Sequence, residues 1–460
     1  MPNTLYLPEL REMLATNDEA GLREFCVALH PARTADYMQG LTAEEAWAVL
    51  GYADLPLRAE IFGFFEEPKQ VEVVEAIDRA EIAKFIGHLP PDDRVDLLNE
   101  VNPTVVAELM PMIPVEERRD IQRLQSYPEG TAGAEMTTEF ARLREESTVG
   151  GALAEVSRQA EQLETIYYLY VVDAEDHLRG LVSARQLVSA MGKPNTRIGD
   201  LMERNLITVN VSEDQEEVAQ KVAHFNLMAI PVVDDGHHML GIITHDDVLD
   251  VMVEEATEDA HLIAAVAPLE EGYLETGVFS LAWKRGIWLT ILFFTALLTS
   301  SALTKYEPVL ESIPWLVLFL PLVLSTGGNS GNQSATLTII ALSTSNITLR
   351  DWWRVVRREL ATGLLLGGFL GAIGYLCALL VLWMGNVAIR EGTIYFAACV
   401  LPVALLLIVV SSTLTGSLLP LLFKRLGLDP ALMSNPFVSG MIDVVGIIIY
   451  MTVAGVMLSA

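Results

Sequence analysis

What most limits the fold of this chain is its division between two solvents. Charge-free stretches run over 286–304, 312–349, 360–389 and 392–423, and a fifth over 430–460 is broken only by Asp443. A helix that crosses a bilayer needs about 20 mostly apolar residues, so five spans are expected. Residues 1–280 hold 53 acids against 20 bases, a net charge of −33, whereas 281–460 carry a net of +3. The first part belongs in water and the second in lipid. A surface this acidic repels phosphate backbones, and no nucleic-acid partner is expected.

Met1-Pro2-Asn3 opens a polar, acidic run without the basic region and short apolar core of a cleaved signal, which places the first 280 residues in the cytosol. Loop charges give an independent test, because Lys and Arg are retained on the cytosolic side. Lys284 and Arg285 precede span one, Arg350, Arg354, Arg357 and Arg358 separate spans two and three, and Lys424 and Arg425 separate spans four and five. All face the cytosol if the N-terminus does. The outer loops carry only Lys305 and Arg390, and five spans leave Ala460 outside. Cys26, Cys377 and Cys399 are too few and too scattered for a disulfide framework or a thiolate metal site.

Within the aqueous part, residues 37–121 repeat every 12 residues. Tyr37, Val49, Ile61, Val73, Phe85, Leu97, Leu109 and Ile121 form one apolar column, Met38 to Met110 a second, and Leu41 to Ile113 a third. Each unit reads as one short helix plus a turn, with Pro91, Pro103 and Pro114 near helix starts, where a missing N–H costs little. Stacked units bury a core that none could bury alone, which predicts a right-handed helical superhelix. Its surface carries Asp92, Asp93 and Asp96 on one unit. Acids at helix starts commonly serve the helix dipole, so by itself this cluster assigns nothing.

A second repeat follows. Tyr168–Asp173 with Gly180–Ser183 aligns without gaps on Ala229–Asp234 with Gly241–Thr244, at an offset of 61. In each copy two β-branched runs flank an Asp-containing turn and a helical pattern follows. This is similar to a tandem pair of CBS domains, which sense nucleotides or ions. Such pairs often hold a nucleotide ribose with an Asp three residues after a Ser or Thr that closes the second strand. The second copy keeps Thr244 and Asp247, whereas the first has Ser183 followed by Gln186. Any adenine nucleotide, ATP included, is therefore expected at the second copy.

From 222 to 283 there are 12 acids and no Lys or Arg. Asp246, Asp247, Asp250, Glu254, Glu255, Glu258 and Asp259 crowd at i, i+3 and i+4 spacings on what reads as one continuous helix, and such like-charge neighbours each cost a few tenths of a kcal/mol. One reading is a solubilising face. The other is a surface that becomes stable when divalent cations bridge it to a second acidic surface. Mg2+ suits that role because it binds through one or two carboxylates while keeping several waters.

In the second expected span, Gly327, Gly328 and Gly331 stand among Asn329, Ser330, Asn332, Gln333, Ser334 and Thr336. The glycines are expected to interrupt the helix, and freed carbonyls at that depth must face protein or water. Close helix packing is the alternative for the glycines alone. The neighbouring amides and hydroxyls favour a lined passage, because they supply neutral oxygens for a hard cation. Asp443 is the only charge in span five, and an ionised carboxylate there costs about 2.5–3.5 kcal/mol unless a cation or a wet cavity offsets it.

With Gly327-Gly-Asn-Ser-Gly-Asn-Gln-Ser-Ala-Thr336 and the run from Asp429-Pro430 to Asp443, the chain resembles the MgtE family of Mg2+ channels along nearly its whole length. The resemblance implies a multi-pass protein of the bacterial plasma (inner) membrane, and a homodimer with one central pore and Asp443 of each subunit on its axis. A hydrated Mg2+ would be held there with help from Asn332, Thr336 and Gly328. It also implies a cytosolic sensing surface of Asp429, Asp247, Asp250, Glu255, Glu258 and Asp259, with Asp93 and Asp96 from the helical repeat. Glu216 joins by position, but Asn226 stands where members of the family often have Asp, which puts one contact in doubt.

The expected organisation is a helical repeat domain (1–130), two CBS domains (136–195 and 196–253), an acidic connecting helix (254–281) and an all-α transmembrane domain of five helices (282–460). No G-x-x-x-x-G-K-[ST] phosphate loop is present, in keeping with passage driven by the membrane potential. A coupled ion exchanger and a membrane-anchored CBS receptor are the competing readings. His88, His237 and His238 have no evident nucleophile, and no enzyme activity is expected.

Overall fold

The computed structural model describes residues 5–160, 163–269, 272–274, 276–344, 347–384 and 394–458. Met1-Pro2-Asn3, Arg390 and Ala460, named above, lie outside them. The chain divides into two compact units, 1–252 and 253–460, and the division falls inside the helix His245–Ile263.

In the first unit, helices begin at Pro31, Ala43, Leu55, Glu67, Arg79, Pro91, Pro103 and Val115, a spacing of 12 throughout. Local chemistry sets these starts. Thr42 and Glu45 form a reciprocal capping box, while Asp54, Asp78 and Asn102 accept the first free backbone N–H groups of their helices. The turns therefore recur in register and the same columns point inward. Val49, Ile61, Val73, Leu109 and Ile121 are fully buried, and Phe62 packs edge-on against Phe85 with ring centroids 5.1 Å apart. Burying each such side chain contributes about 1.5–3 kcal/mol. This core continues into Val209, Val218, Val222, Ile230 and Ile243 of the second β module.

That module and its predecessor are three-stranded sheets. The first holds β1 (Phe140–Arg144), β2 (Thr165–Val172) and β3 (Leu178–Ser183), and the second holds β4 (Val209–Asn210), β5 (Ala229–Val233) and β6 (Met239–Thr244). In both, the outer pair is parallel and the hairpin antiparallel. The hairpin registers differ by 61 at every pair, from Tyr168↔Ser183 against Ala229↔Thr244 to Val172↔Leu178 against Val233↔Met239. The turns repeat as well. Asp173 and Asp234 each accept backbone N–H groups across their turns, and His177 stacks on His238 with centroids 4.3 Å apart.

The helix after β6 is continuous over the acidic run but ends at Ile263, short of the expected 281. Ala265 turns left-handed at φ 59°, and the N–H groups of Ala265 and Val266 donate back to Leu262 and His261. Pro268, three residues further on, could not continue the same helix.

In the second unit, four helices are long and apolar enough to cross a membrane among the described residues: Val278–Lys305, Leu349–Met384, Tyr395–Arg425 and Asn435–Leu458. The fifth expected span is a 24-residue helix, Leu320–Ser343, whose Asn, Gln, Ser and Thr content keeps it off that count. The expected interruption at its glycines does not occur, and the helix runs unbroken. The glycines give close approach instead. A Cβ on Gly331 would overlap Ile442, one on Gly327 would lie 2.9 Å from Ile408, and one on Gly416 would overlap the Gly331 carbonyl. Glycine in a helix keeps its N–H and carbonyl in the ladder, so packing can use it without breaking the helix. Gly363, Gly367 and Gly371 do the same one turn apart, against Val410, Leu406 and Pro402.

Candidate metal sites and family relationships

Most of the acids singled out by sequence fall into three places. The first lies within the first unit, where the helix Pro91–Glu100 meets the start of His245–Ile263. Asp92 is 7% exposed, and its Oδ1 has no hydrogen-bond partner among the described residues. Burial holds its carboxyl well above the usual range, reinforced by Asp247, Asp93 and Glu164. Asp93 is exposed, yet desolvation on its inner side and the carboxylates of Asp247, Asp246 and Asp250 lift it to about 6. Glu164, a residue the sequence did not single out, is lifted to about 7 by desolvation and then by Asp247, Asp93 and Asp246. Asp96 and Asp250 stand exposed on the same two helices.

Cationic relief is thin at this place. Arg94 is buried beside Asp92, but its guanidinium donates to the Leu89 carbonyl at 2.5 Å and answers Glu139, Asp120 and Glu117 as well. Thr244 is already committed: its Oγ1 lies 2.6 Å from Asp247 Oδ2 and 2.5 Å from Asp246 Oδ1, and its single proton is donated to one of them. Ser183 and Gln186, its counterparts in the first module, close an ordinary capping box.

The second place is within the second unit. Ser343 Oγ donates to Asp259 Oδ2 at 3.0 Å, and Leu262 packs with Ile339 and Ala431. This brings Glu258 and Asp259 near Asp429, whose Oδ1 accepts the Ala431 N–H at 2.8 Å. Both helix acids are raised above their ordinary values, first by desolvation, with the Asp429 charge adding to each. Glu255 sits half-buried one turn before Asp259. Glu216 is placed on a different helix, Gln215–Phe225, where its carboxylate takes a hydrogen bond from Gln220 at 3.2 Å.

The third place is Asp443, half-buried on the helix Asn435–Leu458 with no hydrogen bond or ion pair among the described residues. That helix packs antiparallel to Leu320–Ser343, with Thr336 Oγ1 donating to Asn435 Oδ1 at 3.0 Å near one end. Further along, Gly328 approaches Ser439, one turn from Asp443, so closely that a Cβ would overlap its hydroxyl. Asn332 Oδ1 on the facing helix is buried and unpartnered. Glu359, also missed, accepts from Ser334 Oγ at 2.7 Å. An unneutralised carboxylate and an orphaned amide oxygen on two helices packed together are the kinds of oxygen that a hard cation takes.

Two repeated β modules, a helical repeat and apolar helices carrying a half-buried acid define a membrane protein with a large water-facing unit. Residues 320–453 match the family model described as a divalent cation transporter, 29–130 the MgtE intracellular N domain, and 198–254 the CBS domain. The magnesium transporter MgtE of Thermus thermophilus is 38% identical over 454 residues, 98% of each chain. That of Enterococcus faecalis is 31% identical over 457 residues, 97% of this chain and 95% of its own. A crystal structure of the soluble part of a magnesium transporter covers 54% of this chain and 97% of its own, at 33% identity and a TM-score of 0.51. The chain belongs to the MgtE family.

Proposed function

We propose that this protein is a Mg2+-selective channel driven by the membrane potential and closed by cytosolic Mg2+. The observation that carries the reading is Asp443, an acid on an apolar helix with no ion pair among the described residues, packed against a helix that holds an orphaned amide oxygen. As a homodimer the protein would set two such carboxylates against each other, where their repulsion in a dry site is large. A divalent ion relieves both and a monovalent ion only half, which gives selection by charge. A doubly charged ion gains about 4.6 kcal/mol per 100 mV on moving inward, so no fuel is needed.

Two groups of acids supply the sensor. Asp93, Asp247, Asp250 and Glu164 in one place, and Glu255, Glu258, Asp259 and Asp429 in the other, are like charges that repel while unbridged. Millimolar Mg2+ bridging them stabilises the arrangement that crowds them, and both sets draw on the helix His245–Ile263. That helix therefore couples ion level to gate. The proposed placement is the bacterial inner membrane, with the N-terminus in the cytosol, the C-terminus outside, and the domain boundaries given above. The helix Val278–Lys305 has no buried residue, which suits a surface covered by lipid or by the second subunit.

The Thr244–Asp247 pair leaves a nucleotide role open to the second CBS module. A ribose there would compete for the Asp247 oxygen that Thr244 now holds, so nucleotide and Mg2+ effects should be linked. The test is flux or single-channel recording of the purified protein in liposomes, with Mg2+ titrated on the cytosolic side. Current that follows an imposed voltage and falls with cytosolic Mg2+ supports the reading. Flux that requires a Na+ or proton gradient points to an exchanger instead.

A further inference from the structure

A cavity of about 870 Å3 opens in the second unit where the start of the helix Trp352–Met384 meets the end of Val400–Arg425. Its wall is apolar, with Leu418 and Leu422 among five leucines, and its polar contributors are Arg350, Arg425 and Thr415, with Trp352 alongside. The volume falls within the roughly 300–1,000 Å3 of ligand pockets. Trp352 and Leu422 remain about half exposed, at 53% and 49%.

The two arginines give the cavity its sign. Neither guanidinium has an ion pair or a hydrogen bond among the described residues. The nearest acid in sequence, Asp351, is already taken: Thr348 donates to it at 2.9 Å and Arg354 pairs with it at 3.0 Å. Two uncompensated cations over a leucine wall form a site that is anionic-selective at one end and apolar along its length. It lies at the end of the helices that the positive-inside rule assigns to the cytosol, beside a tryptophan of the kind that anchors at the headgroup level.

We infer that this cavity binds an anionic phospholipid of the cytosolic leaflet, with its phosphate between Arg350 and Arg425 and one acyl chain along Leu418 and Leu422. Arginine suits the head because its fork matches phosphate oxygens in pairs. A free phosphate would account for the arginines but not for the leucine wall. A zwitterionic lipid would bring its own cation against them. The inference does not depend on which ion the protein passes.

The test is native mass spectrometry of the full-length protein from mixed micelles containing phosphatidylglycerol and phosphatidylcholine of matched chains. Retention of phosphatidylglycerol over phosphatidylcholine is expected. R350Q/R425Q should reduce that preference by roughly fivefold per arginine while the thermal unfolding transition is unchanged. A second variant, L418W, keeps both charges but fills the wall, and should reduce retention of phosphatidylglycerol as well. Equal retention of the two lipids by the parent protein would overturn the inference. So would an undiminished preference in either variant, displacement of the lipid by millimolar inorganic phosphate, or a change of oligomeric state in the arginine variant.

Discussion

The two units solve the packing problem in opposite ways. In the first, short helices are held apart and joined by large side chains such as Phe62, Phe85 and Leu109, because water outside rewards every apolar surface brought inside. In the second, lipid offers no such reward, and helices are drawn together by leaving side chains out, at Gly331, Gly416, Gly363 and Gly367. Their acids differ in the same sense. The first unit crowds Asp92, Asp93, Glu164 and Asp247, which desolvation and neighbouring carboxylates raise, whereas in the second the helix Asn435–Leu458 carries Asp443 as its one charge. Under the proposed function, the crowded acids answer ion concentration and the lone one is the charge that an ion neutralises as it passes.

The sharpest way to break this contrast is Asp443→Ala. Uptake by a Mg2+-starved host should fall to near background while the protein still folds and assembles. Normal uptake by the variant would remove Asp443 from the passage. Next in size, E255Q/E258Q/D259N should keep conducting but lose most of its closure by cytosolic Mg2+ in inside-out patches. Closure at the parent's concentration would show that these acids do not sense the ion.

The packing half of the contrast is tested by stability. Phe62→Ala should cost about 3–5 kcal/mol in the first unit through the cavity it leaves. Gly367→Val should cost about 1–3 kcal/mol, because its side chain meets the Leu406 backbone at 3.0 Å, which cannot swing aside. If valine is tolerated at 367, side-chain exclusion does not hold that seam. The smallest effect concerns pH. Asp93 and Glu164 titrate at about 6 and about 7 when folded, above ordinary carboxyl values. Their folded forms therefore favour protons, and the stability they contribute is full below about pH 4 and is lost as pH rises through 6 to 7. Without Mg2+, Tm should fall by a few degrees between pH 5 and pH 8, and added Mg2+ should restore more at pH 8. A Tm independent of pH over that range would mean that the cluster is already neutralised.

Much of the site was legible because each feature repeats or stands alone along the chain. Asp443 is visible as one charge in an apolar run, and the acids of His245–Ile263 by their helical spacing. Glu164 and Glu359 carried no such signal. Glu164 follows a loop and acquires its role only where β2 begins beside Asp93 and Asp247, and Glu359 precedes a charge-free stretch and looks like its solvated border. Arg94 reads as a surface cation among acids, but folding buries it to 2% exposure.

What the sequence determined by itself is whatever depends on neighbours along the chain. The spacing of 12 between helix starts, the offset of 61 between hairpins, the caps at Thr42 and Asp78 and the segregation of charge all follow from local propensity and periodicity. Tertiary structure decided what depends on approach between distant segments. It made the glycines of Leu320–Ser343 contact points rather than breaks, ended the connecting helix at Ile263, left Asp92 Oδ1 without a partner, and opened the cavity between Arg350 and Arg425. A glycine reads the same in a sequence whether it bends a helix or admits one, because only the surface packed against it distinguishes the two.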